Sequence, residues 1–288
     1  MTASYDNPES FRQALQARLR NVAADRGVSV QDLQLRFLME RLLARLFHEP
    51  APPWILKGGF AMELRYRPRA RTTRDIDLTI SNANESPLDD RIDEIREKIQ
   101  EAAAIELGDH LDFRVGSARG ELPGAPAGGA RFPIDALIAG RTFGRFHLDV
   151  GFGDPISGEP EELIGDDLLA FAGIAPARAL AIPKAQQFAE KLHAYTYRWT
   201  DRGNTRVKDL VDLVLLIERG ELDPAAVVAA VNETFARRGT HPVPDTLDPP
   251  PPLWTDEFPP MAEQAGLTTT DASTAFSRLA EYWNARPH

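Results

Sequence analysis

Apolar positions recur every three to four residues over two stretches near the start of the chain. Phe11, Leu15, Leu19 and Val22 form the first stripe, and Leu33, Phe37, Leu38, Leu42, Leu43 and Leu46 form the second. This period predicts helix over residues 8–48. The string HEPAPP ends it, because proline lacks the amide that helix continuation needs. WILKGGFAMELRY then begins with a short apolar piece, turns at Gly58-Gly59 and continues as a helix. Alternation of apolar and polar residues takes over in RDIDLTI, and again in LDFRV, RFPIDALIAG and TFGRFHLDVGFG, which predicts four strands. The polar loop SNANESP leads into an amphipathic helix over residues 88–105. From Asp166 the period is helical again, through DDLLAFAGI, PKAQQFAEKLHAYTYRWT and RVKDLVDLVLLIERG, with Pro183 placed to start the second of these. Residues 241–260 hold eight prolines and are expected to form an extended strap. DASTAFSRLAEYWNAR closes the chain as a last helix, and no internal repeat is present.

The order of these elements predicts an α+β fold in two lobes. Residues 1–170 would carry the N-terminal helices and a mixed α/β core, and residues 171–288 a helical domain with the proline-rich loop 241–260.

Composition narrows the chemistry. The chain has 288 residues, 43% hydrophobic and 26% charged, as expected of a soluble protein with a sizeable core. It contains no cysteine, so disulfides and thiolate metal sites are excluded. The first twenty residues lack the apolar stretch of a signal peptide, and no run approaches membrane-spanning length, so a cytoplasmic protein is expected. A net charge of −10 argues against binding nucleic acid over the whole surface. Between residues 57 and 74, however, Lys57, Arg65, Arg67, Arg69, Arg71 and Arg74 face a single acid, Glu63. A solvated charged face would explain such a run, and so would an anion held at one place.

Asp75 and Asp77 lie beside that strip. Residues i and i+2 of a strand share a face, so the two carboxylates repel each other unless a cation sits between them. Hard oxygen ligands suit Mg²⁺ or Mn²⁺. Asp149 in FHLDV is a third carboxylate on another expected strand, a candidate metal ligand or an arginine partner. The Gly58-Gly59 turn before a helix leaves amides free to approach an anion, with Lys57 nearby. On EKLHAYTYR, Lys191, Tyr195 and Arg198 share one helix face, and Asp209 opens the next helix. Lys191 and Asp209 can be read as phosphate-binding and orienting groups or as an interhelical salt bridge. Tyr195, Tyr197 and Trp199 can be read as base-stacking residues, though packing is the commoner use. No GxxxxGK[ST] loop, GxSxG elbow or zinc cluster is present.

Gly58-Gly59 followed by Thr73-Arg74-Asp75-Ile76-Asp77 resembles the nucleotidyltransferase superfamily that includes DNA polymerase β. More narrowly, LKGGFAMELRY, RTTRDIDL, EKLHAYTYR and RVKDLVDL resemble the four motif regions of the AbiEii/AbiGii toxin family, which includes the MenT toxins. The resemblance covers residues 54–217. It implies a polymerase β-like core and transfer of a nucleotide from an NTP to an RNA 3′ end, with the tRNA acceptor stem the expected acceptor. Mg²⁺ or Mn²⁺ would be the cofactor and a cognate antitoxin the partner, in a toxin–antitoxin or phage-defence setting. Asp75, Asp77, Lys191 and Asp209 would be catalytic, and Asp75, Asp77 and Asp149 would ligate metal. Lys57, Gly58, Gly59, Arg71 and Thr73 would bind the nucleotide. Some relatives carry a phosphorylated Ser or Thr at the position of Thr73, which would repel the triphosphate. Two alternatives remain open: phosphoryl transfer to an antitoxin or to itself, and a non-catalytic binding module with the same fold.

Overall fold

The computed structural model describes residues 7–81, 86–122, 124–197 and 204–287. Part of the SNANESP loop, together with Arg198 and Trp199, lies outside the described residues. In chain order the elements are α1 (Pro8–Arg26), α2 (Val30–Leu46), β1 (Ile55–Lys57), α3 (Gly58–Tyr66), β2 (Asp75–Ile80) and α4 (Leu88–Ala103). They continue with β3 (Leu111–Val115), β4 (Gly129–Ile138), β5 (Arg141–Phe152), β6 (Glu161–Ile164) and β7 (Arg178–Ala181). Five helices follow: α5 (Lys184–Thr196), α6 (Val207–Arg219), α7 (Pro224–Arg238), α8 (Trp254–Ala265) and α9 (Ala272–Asn284). None of the described helices is long and apolar enough to cross a membrane.

The chain forms two compact units. The first comprises Met1–Leu56, Thr73–Gly153 and Glu162–Ala181, and the second Lys57–Thr72, Asp154–Glu161 and Ile182–His288.

The first unit is built on a mixed seven-stranded sheet with order β3-β4-β5-β2-β1-β7-β6. β2 runs parallel to β5 and β1 parallel to β7, whereas β3, β4 and β5 are antiparallel. One sheet face is apolar: Ile76 and Leu78 of β2, Phe132 and Ile134 of β4, and Leu148 and Val150 of β5 are buried. α2 packs against β5 and β7, and its Arg41 and Arg45 reach the buried Asp109 at 2.7 and 2.6 Å. Burial alone would raise the Asp109 carboxyl, yet the two guanidinium groups hold it below the usual carboxylate range.

Three stretches depart from the periodicity. The helix expected over 8–48 is two helices, because Gly27 adopts a left-handed conformation (φ 65°) that caps α1, and the Ser29 hydroxyl accepts the Asp32 amide to start α2. DDLLAFAGI is not a helix. It holds a single 3-10 turn, Ala170–Ala172, closed by left-handed Gly173, and β6 and β7 flank it, each only four residues long. Such short strands leave too few alternations to register as a pattern. In the proline-rich region, residues 241–253 form no regular element, but α8 begins at Trp254 and carries Pro259 and Pro260 inside it. An interior proline costs a helix about 3 kcal/mol. Full burial of Trp254, Phe258, Ala262 and Ala265 in the core offsets that.

In the second unit, α5 to α9 and Met62 of α3 share one apolar core. The strap 241–253 is tied to it by Tyr195 and Trp283, which donate to the carbonyls of Asp248 (2.9 Å) and Pro244 (3.0 Å). Tyr195 also packs edge-on against Trp254, so this tyrosine serves packing.

His193 of α5 sits in the same core, its Nε2 2.8 Å from the Thr240 hydroxyl and its ring against Phe235 and His241. Burial, helped by Arg238 and His241, pushes its pKa down to about 3. Between that value and the unfolded value near 6.5, only the unfolded chain takes up this proton. Stability from His193 is therefore complete above pH 6.5 and falls as pH drops below it. We expect His193→Asn to lose roughly 2 kcal/mol less than the parent between pH 7 and pH 5, measured by urea unfolding. Equal losses in the two chains would refute this.

Candidate active site

In the first unit, Asp75 and Asp77 project from the same, half-exposed face of β2, while Ile76 and Leu78 between and beyond them are buried. The parallel register sets Asp77 beside Asp149 of β5 and Asp75 beside His147. The antiparallel register then sets Arg131 of β4 beside Asp149. Three carboxylates and one guanidinium thus lie side by side on adjoining strands.

Arg131 holds Asp149 through two parallel hydrogen bonds, Nε–Oδ1 and Nη2–Oδ2, both 2.7 Å. It stands 3.6 Å from Asp75. The bond to Asp149, with the charges of Asp75 and Asp77 behind it, raises the Arg131 pKa above the ordinary arginine range. A positive charge therefore already relieves part of the carboxylate repulsion. Sequence reasoning did not single out Arg131, because its relation to Asp149 depends on strand register.

The donor set fits a hard divalent cation. Mg²⁺ commonly takes one or two carboxylates and completes its shell with waters and substrate phosphates, and Asp75 and Asp77 present such a half-exposed pair. Among the described residues, no three His, Asp or Glu side chains form a closed metal-holding group. Arg131 occupies one lone pair on each Asp149 oxygen, so a metal at Asp149 would share the carboxylate with this guanidinium.

The other expected residues belong to the second unit, except Thr73, which is half-buried two residues before Asp75. Gly58 opens α3 with φ 69°, a left-handed conformation that favours glycine, and the residue before it makes no side-chain capping hydrogen bond. Lys57 is paired with Asp154, with Glu190 at 3.4 Å. Arg238 joins the same two carboxylates at 3.2 and 3.7 Å. Burial would lower the Lys57 pKa, but Glu190 and Asp154 raise it on balance.

A second buried network links α5 and α6. Lys191 lies 2.9 Å from Asp209 Oδ1 and 2.8 Å from Asp212 Oδ2. Arg71 clasps Asp212 with two hydrogen bonds of 2.9 and 2.7 Å. Burial would lower the Lys191 pKa, yet Asp209 and Asp212 push it well above the ordinary lysine range. Among the described residues, Asp209 Oδ2 is buried and accepts no hydrogen bond, and Arg206 stands 3.9 Å from it. Asp212 was not singled out from the sequence. It lies three residues after Asp209, on the same helix face, which is the signal that would have found it.

The family described as "Nucleotidyl transferase AbiEii toxin, Type IV TA system" matches residues 41–282. No curated protein sequence matches the chain. Among solved structures, "MenT4, nucleotidyltransferase toxin Rv2826c from Mycobacterium tuberculosis H37Rv" superposes with a TM-score of 0.62 at 19% identity, over 93% of this chain and 88% of that one. JHP933 from Helicobacter pylori follows at a TM-score of 0.46 and 13% identity, over 88% and 91% of the two chains.

Proposed function

We propose, for a chain that belongs to the AbiEii nucleotidyl transferase toxin family, that it transfers a nucleotide from an NTP to the 3′ end of an RNA, the tRNA acceptor stem, and so blocks translation. The observation that carries this reading is the half-exposed Asp75–Asp77 pair on one face of β2, in register with Asp149. In the reaction the acceptor 3′-hydroxyl gives up its proton to solvent as its oxygen bonds to the α-phosphorus, the bond between that phosphorus and the bridging oxygen breaks, and pyrophosphate leaves with its electrons.

Asp75 and Asp77 would hold Mg²⁺ or Mn²⁺, which when bound lowers the pKa of the attacking hydroxyl and neutralises the triphosphate. Arg131 fixes the Asp149 carboxylate with two hydrogen bonds and adds positive charge beside the same carboxylates. The amides of Gly58 and Gly59, at the positive end of α3, would donate to phosphate oxygens, and Lys57 and Arg71 would supply charge. Lys191 would serve as a point charge for phosphates, and Asp209, paired with it at 2.9 Å, would orient that lysine or the incoming hydroxyl. Thr73 is the residue whose phosphorylation would repel the triphosphate, and a cognate antitoxin is the expected partner.

The test incubates the protein with total tRNA, Mg²⁺ and each α-³²P-labelled NTP in turn. Label on tRNA with at least one NTP, absent for Asp75→Ala, is the expected outcome. Label appearing instead on protein from γ-³²P-ATP would replace this reading with phosphoryl transfer. No incorporation into either would remove the catalytic reading.

A further inference from the structure

The sheet face that carries Asp75 and Asp77 continues past them into a basic region. Register places Arg114 of β3 beside Asp135 of β4, and Asp135 beside Arg145 of β5. His147, two residues along from Arg145 on the same face, lies beside Asp75. A cavity of about 1230 Å³ in the first unit is lined by Arg74, Arg114, Arg119, Arg145 and His147 and reaches Asp75 itself. Arg145 is committed to Asp135 at 2.8 Å. Arg74, Arg114 and Arg119 are exposed and pair with no carboxylate among the described residues. With Arg145 and Asp135 paired, these three arginines face Asp32 and Asp75 in the lining, so the groove keeps a small positive excess in a chain of net charge −10.

We propose that this groove binds the phosphate backbone of the acceptor strand, a single-stranded polynucleotide whose 3′ end lies at Asp75. The inference rests on the nucleotidyl-transfer reading and adds the surface on which the acceptor is held. The cavity exceeds the usual 300–1,000 Å³ of a small-molecule site, so it suits a polymer segment better than one nucleotide. Among the described residues its only aromatic rings are Phe146, which is buried, and His147, so it offers little for bases to stack on. Arginine contacts to phosphate carry no sequence information. The groove therefore positions the strand with little base preference, and its affinity falls with salt. An acidic polypeptide shares the charge but not the reactive 3′-hydroxyl that Asp75 and Asp77 need.

The test measures fluorescence anisotropy of a 5′-fluorescein dodecaribonucleotide with the full chain, in three forms besides the parent. These are Arg114→Ala/Arg119→Ala, Arg114→Glu/Arg119→Glu, and Arg18→Ala/Arg20→Ala, the last removing two exposed charges from α1. The parent should show a slope of log K against log salt of about −2, as three phosphate contacts on a single strand require. Arg114→Ala/Arg119→Ala should bind at least tenfold more weakly, with a slope shallower by about 1.4, and the glutamate pair more weakly still. The α1 pair should bind like the parent. In the transfer assay the arginine variants should raise KM for RNA and leave KM for NTP unchanged. Unaltered RNA affinity in both groove variants overturns the proposal, as does equal, groove-dependent binding of fluorescein poly-glutamate of the same length. If groove-dependent RNA binding is found but no NTP is incorporated by the parent, the transfer reading fails and the groove stands. If incorporation is seen with an unchanged KM for RNA in the variants, the groove fails and the transfer reading stands.

Discussion

Asp77→Asn is expected to lower nucleotidyl transfer by roughly 10³-fold or more while leaving the fold intact. Asp77 and Asp75 are the two oxygen donors that suit a divalent ion. Metal stabilisation of transferring phosphoryl groups is worth several kcal/mol, and each 1.36 kcal/mol is a factor of ten in rate. Stability should change by no more than about 0.5 kcal/mol, because the side chain is half-exposed and lies in a row where carboxylates outnumber the guanidinium. The two readouts are single-turnover incorporation of α-labelled nucleotide and the midpoint of urea unfolding. A variant that keeps more than a tenth of the parent rate would remove Asp77 from the metal-binding role. One that fails to fold would show that the carboxylates serve structure.

Asp212→Ala is expected to act in the opposite way, through stability. Asp212 is fully buried and takes two hydrogen bonds from Arg71 and the ammonium of Lys191. Truncation leaves two cations facing one another over the space it occupied. Breaking a buried pair by removing one partner costs about 3–5 kcal/mol, a large share of the stability of any domain. Burial would raise the Asp212 carboxyl, but Arg71 and Lys191 hold it below the ordinary aspartate value of 3.8. A depressed folded-state pKa contributes stability that is fully present above the unfolded value and lost as pH falls through the folded one. The difference between parent and variant should therefore be constant from pH 5 to pH 8 and shrink only in acid below about pH 4. A urea midpoint shift worth less than about 1 kcal/mol at pH 7 would refute the role assigned to Asp212.

These two aspartates differ in how far the chain alone betrays them. Asp75 and Asp77 stand out because a strand period of two forces them onto one face beside a run of arginines. Lys191 and Asp209 stand out through their spacing on adjacent helices. Asp212 is visible in RVKDLVDL, but nothing local says that Arg71, 141 residues away in sequence, will close on it. Arg131 is likewise an ordinary outward residue of an alternating strand until β4 and β5 are set in register. Asp154, which clasps Lys57, carries no local signal at all.

The elements divide in the same manner. Long helices and strands announce themselves by many repeats of their period, so α4, α5, α6, α9, β4 and β5 follow from sequence. β6 and β7 do not, because four residues contain too little alternation and parallel pairing of β7 with β1 is a non-local choice. α8 contradicts its own local propensity at Pro259 and Pro260, and only the burial of Trp254 and Phe258 explains why it forms.

What the chain determines by itself is therefore periodic and near-neighbour chemistry: an α+β fold, paired carboxylates on one strand face, a glycine turn opening a helix, and the motif order of a nucleotidyl transferase family. What only the tertiary structure decided is which distant charges meet. It assigned Arg131 to Asp149, Arg71 to Asp212 and Lys57 to Asp154, gathered Arg74, Arg114 and Arg119 around one cavity, and joined Lys57–Thr72 and Asp154–Glu161 to the helical unit. The physical reason is that local periodicity depends on covalent geometry, whereas ion pairing depends on register and burial, and both of these are settled only when the whole chain has packed.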